Sequence, residues 1–264
     1  VSGALPPMSP EAWEVEFAKY RETTEYQLVN KGMSMAEFQK IFWWEWGHRF
    51  FGRMIGLVAV GGFVVFAVRG WLTKRLTWHL VALIGLGGLQ GAIGWWMVAS
   101  GIGETTRVDV APYRLMTHFM LALLIIAYVS WLWLDLGGKA RSVASQSIKL
   151  VSLALLVAIF LQMAAGALVA GLDAGRSYND WPLMAGELVP SHYLENGLGI
   201  RSLFEGRAAT QFNHRLLAYL IWAGALASAW AYRKTEFRTG FVWLAGLVSL
   251  QAVWGIVTLV HAAP

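Results

Sequence analysis

The stretch Leu150 to Leu172, LVSLALLVAIFLQMAAGALVAGL, is long enough to cross the hydrocarbon core of a bilayer and carries no charged side chain. A surface helix of a soluble domain keeps one polar face, and this one offers water only Ser152 and Gln162. It reads as a membrane span. Working outward, Leu80 to Gly103, Leu115 to Leu134, Leu216 to Tyr232 and Thr239 to Pro264 have the same character. The whole chain of 264 residues is 57% hydrophobic and only 14% charged, with a mean hydropathy of +0.50. A soluble single domain, in which about a quarter of residues are charged, is excluded.

A sixth span is less plain. Met54 to Val68 is short, but carried back through Arg53, Arg49, His48 and Glu45 to Ile41 it makes about 28 residues and ~42 Å of helix. The spans are then expected at 41–68, 77–99, 113–134, 149–171, 210–232 and 240–261. The expected fold is all-α, a polytopic transmembrane helical bundle with short, up-and-down connections. Cysteine is absent, so disulfides, thiolate nucleophiles and Cys-ligated metals have no part in the chemistry.

Charge distribution gives the orientation. The connections 69–75, 135–149 and 233–238 hold nine Lys/Arg and two Asp/Glu, whereas residues 1–53, 104–114 and 173–215 hold twelve and fourteen. Short basic loops stay on the cytoplasmic or matrix side, which places both chain ends outside. The formal net charge of +5 is therefore a topology signal, and no nucleic-acid partner is expected. A translocated polar segment of about 40 residues at the start leads us to expect a further span before Val1, and Pro264, directly after a span, reads as a second cut.

Five segments follow: an outer segment at 1–40, first-half spans at 41–134, an inner loop and linking span at 135–171, an outer loop at 172–209 and second-half spans at 210–264. In the outer segment, Ser9-Pro10-Glu11 is a helix start with Trp13, Phe17 and Tyr20 on one stripe, expected to lie in the membrane interface. Ser34-Met35-Ala36-Glu37 is a capping box that feeds the first span. The outer loop, with Gly, Pro, Asn, Asp, Trp181 and Tyr193, is expected to act as a lid.

The chain also repeats. EWGHR, Glu45 to Arg49, matches QFNHR, Gln211 to Arg215, and LQGAIGWWMV, Leu89 to Val98, matches LQAVWGIVTL, Leu250 to Leu259. YRLMTH, Tyr113 to His118, puts a histidine seventy residues after His48, so the repeat calls for another near position 284. The expected parent has eight spans in two pseudo-symmetric four-helix halves of like orientation. Gly52/Gly56 and Gly87/Gly91 are small-xxx-small pairs of the kind that let helices pack closely.

Ionisable groups inside spans are costly and point to function. His48, His118 and His214 each lie four to seven residues inside an outer end, at ~6 to 10 Å depth. Histidines on facing helices at one level can hold a heme iron between two imidazoles. The alternative for each is a hydrogen bond to a neighbouring helix or a reach toward water, and the repeated HR motif with a matching third histidine favours ligation. Arg49, Arg114 and Arg215 sit beside them toward the outer boundary, where guanidinium groups suit heme propionates or simply reach for water. His79, His192 and His261 read as structural. Glu45 stands where the second half has Gln211. A carboxylate in a partly dry site can move protons and an amide cannot, although an ion pair with Arg49 is the plainer reading.

At these residues the sequence resembles the heme A synthase family, in its cysteine-free branch. The carrying segments are EFQKIFWWEWGHRFFGRMIGL (Glu37 to Leu57), LQGAIGWWMVASG (Leu89 to Gly101), PYRLMTH (Pro112 to His118), GALVAGLDAG (Gly166 to Gly175), NDWPLM (Asn179 to Met184) and QFNHR. The resemblance implies oxidation of the C8 methyl of heme O, through an alcohol and a hydrated aldehyde, to the formyl group of heme A for cytochrome oxidase. It implies His48 and His118 as axial ligands of the substrate iron, Glu45 as the essential carboxylate and His214 as one ligand of a heme b that passes electrons. The chain would correspond to the second through seventh spans. Heme O synthase and further copies of the chain are candidate partners, with the electron donor unnamed. The setting would be the bacterial cytoplasmic or mitochondrial inner membrane, with heme sites toward the outer face. A noncatalytic bis-histidine di-heme carrier also satisfies the histidines. A transporter does not, because the polar groups cluster at one outer level instead of at the midplane.

Overall fold

The computed structural model describes residues 5–101, 108–137 and 143–262. Ordered structure there is helical: α1 (Pro10–Arg21), α2 (Thr24–Leu28), α3 (Met35–Val68), α4 (Lys74–Val98), α5 (Pro112–Leu136), α6 (Gln146–Gly171), α7 (Ser202–Glu205), α8 (Arg207–Ala231) and α9 (Arg238–Val260). The six long helices fall on the six expected spans. Five of them, α3 to α6 and α9, are long and apolar enough to cross a membrane by length and composition. The sixth, α8, has the length, but its outer turns carry Arg207, Gln211, Asn213, His214 and Arg215, which lower its apolar content.

The chain divides between Leu136 and Gly137 into two compact units. In the first, α4 packs against both α3 and α5. In the second, α8 packs against both α6 and α9, and α7 caps its outer end. Large side chains such as Leu57, Val58, Leu150 and Leu247 project outward from the bundles. An apolar exterior is what a helix needs where lipid is the solvent, because its backbone groups are already satisfied within the helix.

Helix α3 begins where the sequence places it. Ser34 Oγ accepts from the Glu37 backbone N–H at 3.3 Å, and the Ser34 N–H donates to Glu37 Oε2 at 2.8 Å, closing the capping box. At 34 residues, or ~51 Å, α3 is longer than a hydrocarbon core. Its outer end holds a small aromatic core in which Phe17, Phe38 and Phe42 are buried among Trp13, Tyr20, Tyr26 and Trp46. Phe17 stacks on Phe38 with centroids 4.9 Å apart. The Trp13–Phe17–Tyr20 stripe, expected at the membrane interface, thus packs on the first span. Burial pushes the Tyr20 hydroxyl up to about 12, while the hydroxyl still accepts from Asn30 Nδ2 at 2.7 Å.

Candidate functional site

In the first unit, the helical spacing i, i+3, i+4 sets Glu45, His48 and Arg49 on adjoining positions of α3. Arg49 Nη1 donates to Glu45 Oε1 at 3.0 Å, with the carboxylate about 41% exposed. The plainer reading of Glu45 is therefore present as a contact. His48 is exposed. Arg114, one turn outward of His118, donates to the Trp96 carbonyl at 2.8 Å and lies 4.5 Å over the Trp96 ring.

His118 is seated by α4. Gln90 Nε2 lies 3.2 Å from Nδ1 and 3.3 Å from Nε2 of the ring, and donates to the His118 carbonyl at 3.0 Å. One turn along, a Cβ on Gly94 would stand 2.9 Å from His118 Cε1, closer than carbon atoms tolerate.

The second unit repeats this seat. Gln162 Nε2 of α6 lies 3.1 Å from Nδ1 and 3.2 Å from Nε2 of His214, and a Cβ on Gly166 would stand 3.1 Å from His214 Cε1. The other polar groups of the QFNHR segment turn to the outer loop. Arg215, buried, donates through Nη1 to the Asp180 and Leu183 carbonyls at 3.0 Å each, and through Nη2 to the Tyr178 carbonyl at 2.8 Å. Gln211 Nε2 donates to Tyr178 at 2.9 Å, and Asn213 Oδ1 accepts from the Tyr193 hydroxyl at 2.8 Å. Asn179 Nδ2 ties the loop to the Leu259 carbonyl at the end of α9, at 2.9 Å. The expected lid is a loop strapped to α8 and α9.

Within that loop, Asp180 Oδ1 and Oδ2 accept from the Ala185 and Gly186 N–H groups at 3.0 Å each. These donors, Gly186 foremost, hold the Asp180 carboxyl below the ordinary aspartate range. Gly186 takes a φ of +80°, a conformation in which a side chain would be strained.

Each of the three arginines expected to face heme propionates thus has a protein acceptor: Arg49 a carboxylate, Arg114 one carbonyl and Arg215 three. The remaining histidines are accounted for locally. His79 Nδ1 lies 2.7 Å from the Tyr128 hydroxyl, His261 Nδ1 lies 2.8 Å from the Val257 carbonyl, and His192 lies exposed in the outer loop. Gln90, Gly94, Gln162 and Gly166 were not among the expected site residues. Their signal is a third copy of the Leu-Gln then Gly spacing, Leu161-Gln162 to Gly166, inside the first stretch quoted above.

Over residues 1–264 the sequence matches the family described as COX15-CtaA, cytochrome oxidase assembly protein. The chain belongs to that family. It is 69% identical over its full length to a heme A synthase of Hyphomonas neptunium, covering 75% of that protein. It is also 47% identical to a heme A synthase of Caulobacter sp. strain K31 and 45% identical to that of Maricaulis maris, in each case over the whole chain and 78% of the relative. No solved structure matches it.

The residues of this COX15-CtaA chain fit a heme. Gln90 Oε1 and Gln162 Oε1 are buried without a hydrogen-bond partner beside His118 and His214, and both rings occupy notches that a Cβ would fill. Buried acceptors without donors are costly, and here each lies beside a ring that carries an N–H. A porphyrin brings four nitrogen donors of its own, so one or two imidazoles complete its iron.

Proposed function

We propose that the chain is a heme A synthase, a multi-pass membrane oxidoreductase that converts heme O to heme A for cytochrome oxidase. Full-length identity of 69% to a relative of that name carries the reading. His48 and His118 hold the substrate iron, and His214 is a ligand of a resident heme b. When bound, heme b supplies one-electron transfer. The membrane is the bacterial cytoplasmic membrane, and both sites open toward its outer face.

The chain's own groups define what happens around the substrate. Arg49 holds the Glu45 side chain in an ion pair. A heme propionate entering this end of α3 competes for the same guanidinium, since arginine binds any carboxylate with the same fork. Substrate loading therefore releases Glu45 to take a proton during oxidation of the C8 methyl group. Gln211, its counterpart in the second unit, spends its amide N–H on the Tyr178 carbonyl, a bond no carboxylate can donate. The two halves thus differ in chemistry at one position.

The Glu45–Arg49 contact also favours a second reading, in which Glu45 only holds Arg49. The Glu45→Gln variant separates the two. As a proton carrier, Glu45 is essential to turnover but not to binding, so the variant retains bound heme and makes no heme A. Loss of heme from the variant supports the structural reading.

A further inference from the structure

Two helices carry the same device at widely separated places in the chain. On α4 and α6, a glutamine and a glycine four residues apart face a histidine of the next long helix, His118 or His214. Their separations agree within 0.2 Å: 2.9 and 3.1 Å from the ideal Cβ to Cε1, and 3.1 to 3.3 Å from the amide to the ring nitrogens. In an α-helix the carbonyl of residue i bonds the N–H of residue i+4. A glycine at i+4 removes the side chain that would screen that carbonyl. The glycines thus leave each imidazole seated against the helix, with the glutamine amide 3.1 to 3.3 Å from its ring nitrogens.

We infer that Gln90 with Gly94, and Gln162 with Gly166, are positioning residues for heme ligation. Each glycine opens the space that seats an imidazole against the helix, and each glutamine, with its amide turned so that the unpartnered Oε1 accepts the ring N–H, fixes the ring plane. A ring whose N–H is committed to a carbonyl leaves its other nitrogen for iron, and such outer partners set both ring orientation and ligand strength. The glutamine Oε1 is buried beside the ring, and a half turn of the amide exchanges it with the nitrogen now 3.1 to 3.3 Å from the ring nitrogens.

The inference rests on His118 and His214 being ligands, so the experiment carries a control for that reading. The holoprotein is purified from a heme-producing host as wild type, His214→Ala, Gly166→Ala, Gly246→Ala and Gln162→Leu. Heme content, the low-spin electron paramagnetic resonance spectrum and the reduction potential of the second-half heme are measured. Gly166→Ala is expected to weaken heme binding by about 10- to 100-fold. Gly246→Ala, where a Cβ meets nothing within 4 Å, is expected to match wild type. Gln162→Leu is expected to keep heme with altered g values and a shifted potential. If Gly166→Ala fails to fold, Gln162→Leu decides. Full heme content with unchanged spectrum and potential in the variants overturns the inference, provided His214→Ala loses the heme. Retention of an unchanged heme by His214→Ala overturns the ligand assignment itself.

Discussion

Arg215 has partners within the protein that its place in the sequence does not show. Its place after His214 suggested a propionate clamp, yet its two terminal nitrogens meet three backbone carbonyls of the outer loop. Hydrogen bonds from a charged donor are worth about 1.5 to 3 kcal/mol. Arg215→Gln is expected to lower stability by that order and to speed limited proteolysis of the loop around Asp180, leaving the spans intact. Unchanged cleavage would show that other contacts hold the loop. Asp180 gives the same loop a pH dependence. Its carboxyl titrates below its ordinary 3.8 when folded, so the turn gains stability above about pH 3.8 and loses it as the pH falls through the lower folded value. Trp181 fluorescence should therefore be flat from neutral pH down to about 4 and change only below it, whereas Asp180→Asn should show no such transition.

Among the elements, helix placement was legible and helix length was not. The expected spans 77–99, 113–134 and 210–232 correspond to Lys74–Val98, Pro112–Leu136 and Arg207–Ala231. Hydropathy marks where the chain meets lipid, whereas a helix continues into polar turns as far as its caps allow. Hence α3 starts at Met35, next to its cap Ser34 and six residues before the expected start of the span at 41. The histidine seats lay outside the reach of pattern reading for a different reason. Gln90 meets His118 across 28 residues and Gln162 meets His214 across 52, and a lone glutamine in an apolar run shows no partner. Three copies of the Leu-Gln spacing were the available clue. The aromatic core at the outer end of α3 makes its own prediction. Phe17→Ala removes a side chain 1% exposed and is expected to cost about 3 to 5 kcal/mol locally. Hydrogen exchange should rise across α1 and α2 and stay unchanged in α4 and α5; faster exchange throughout the first unit would mean that the core stabilises the whole bundle.

For the molecule as a whole, composition points to a membrane, and the chain forms two compact units, one built around α4 and the other around α8. What the two do not share is the outer end. The second unit straps its loop down with Gln211, Asn213 and Arg215, while the first carries Glu45, Gly47 and Arg49 in their places. That difference is the basis for assigning oxidation to the first unit and electron transfer to the second. The proposed conversion of heme O to heme A is tested most directly by extracting the noncovalent hemes from the wild-type protein, purified from a host that makes heme O, and identifying them by chromatography and mass. The account predicts heme A together with its hydroxylated precursor. Heme b alone, with heme O present in the host and the protein folded, would contradict it.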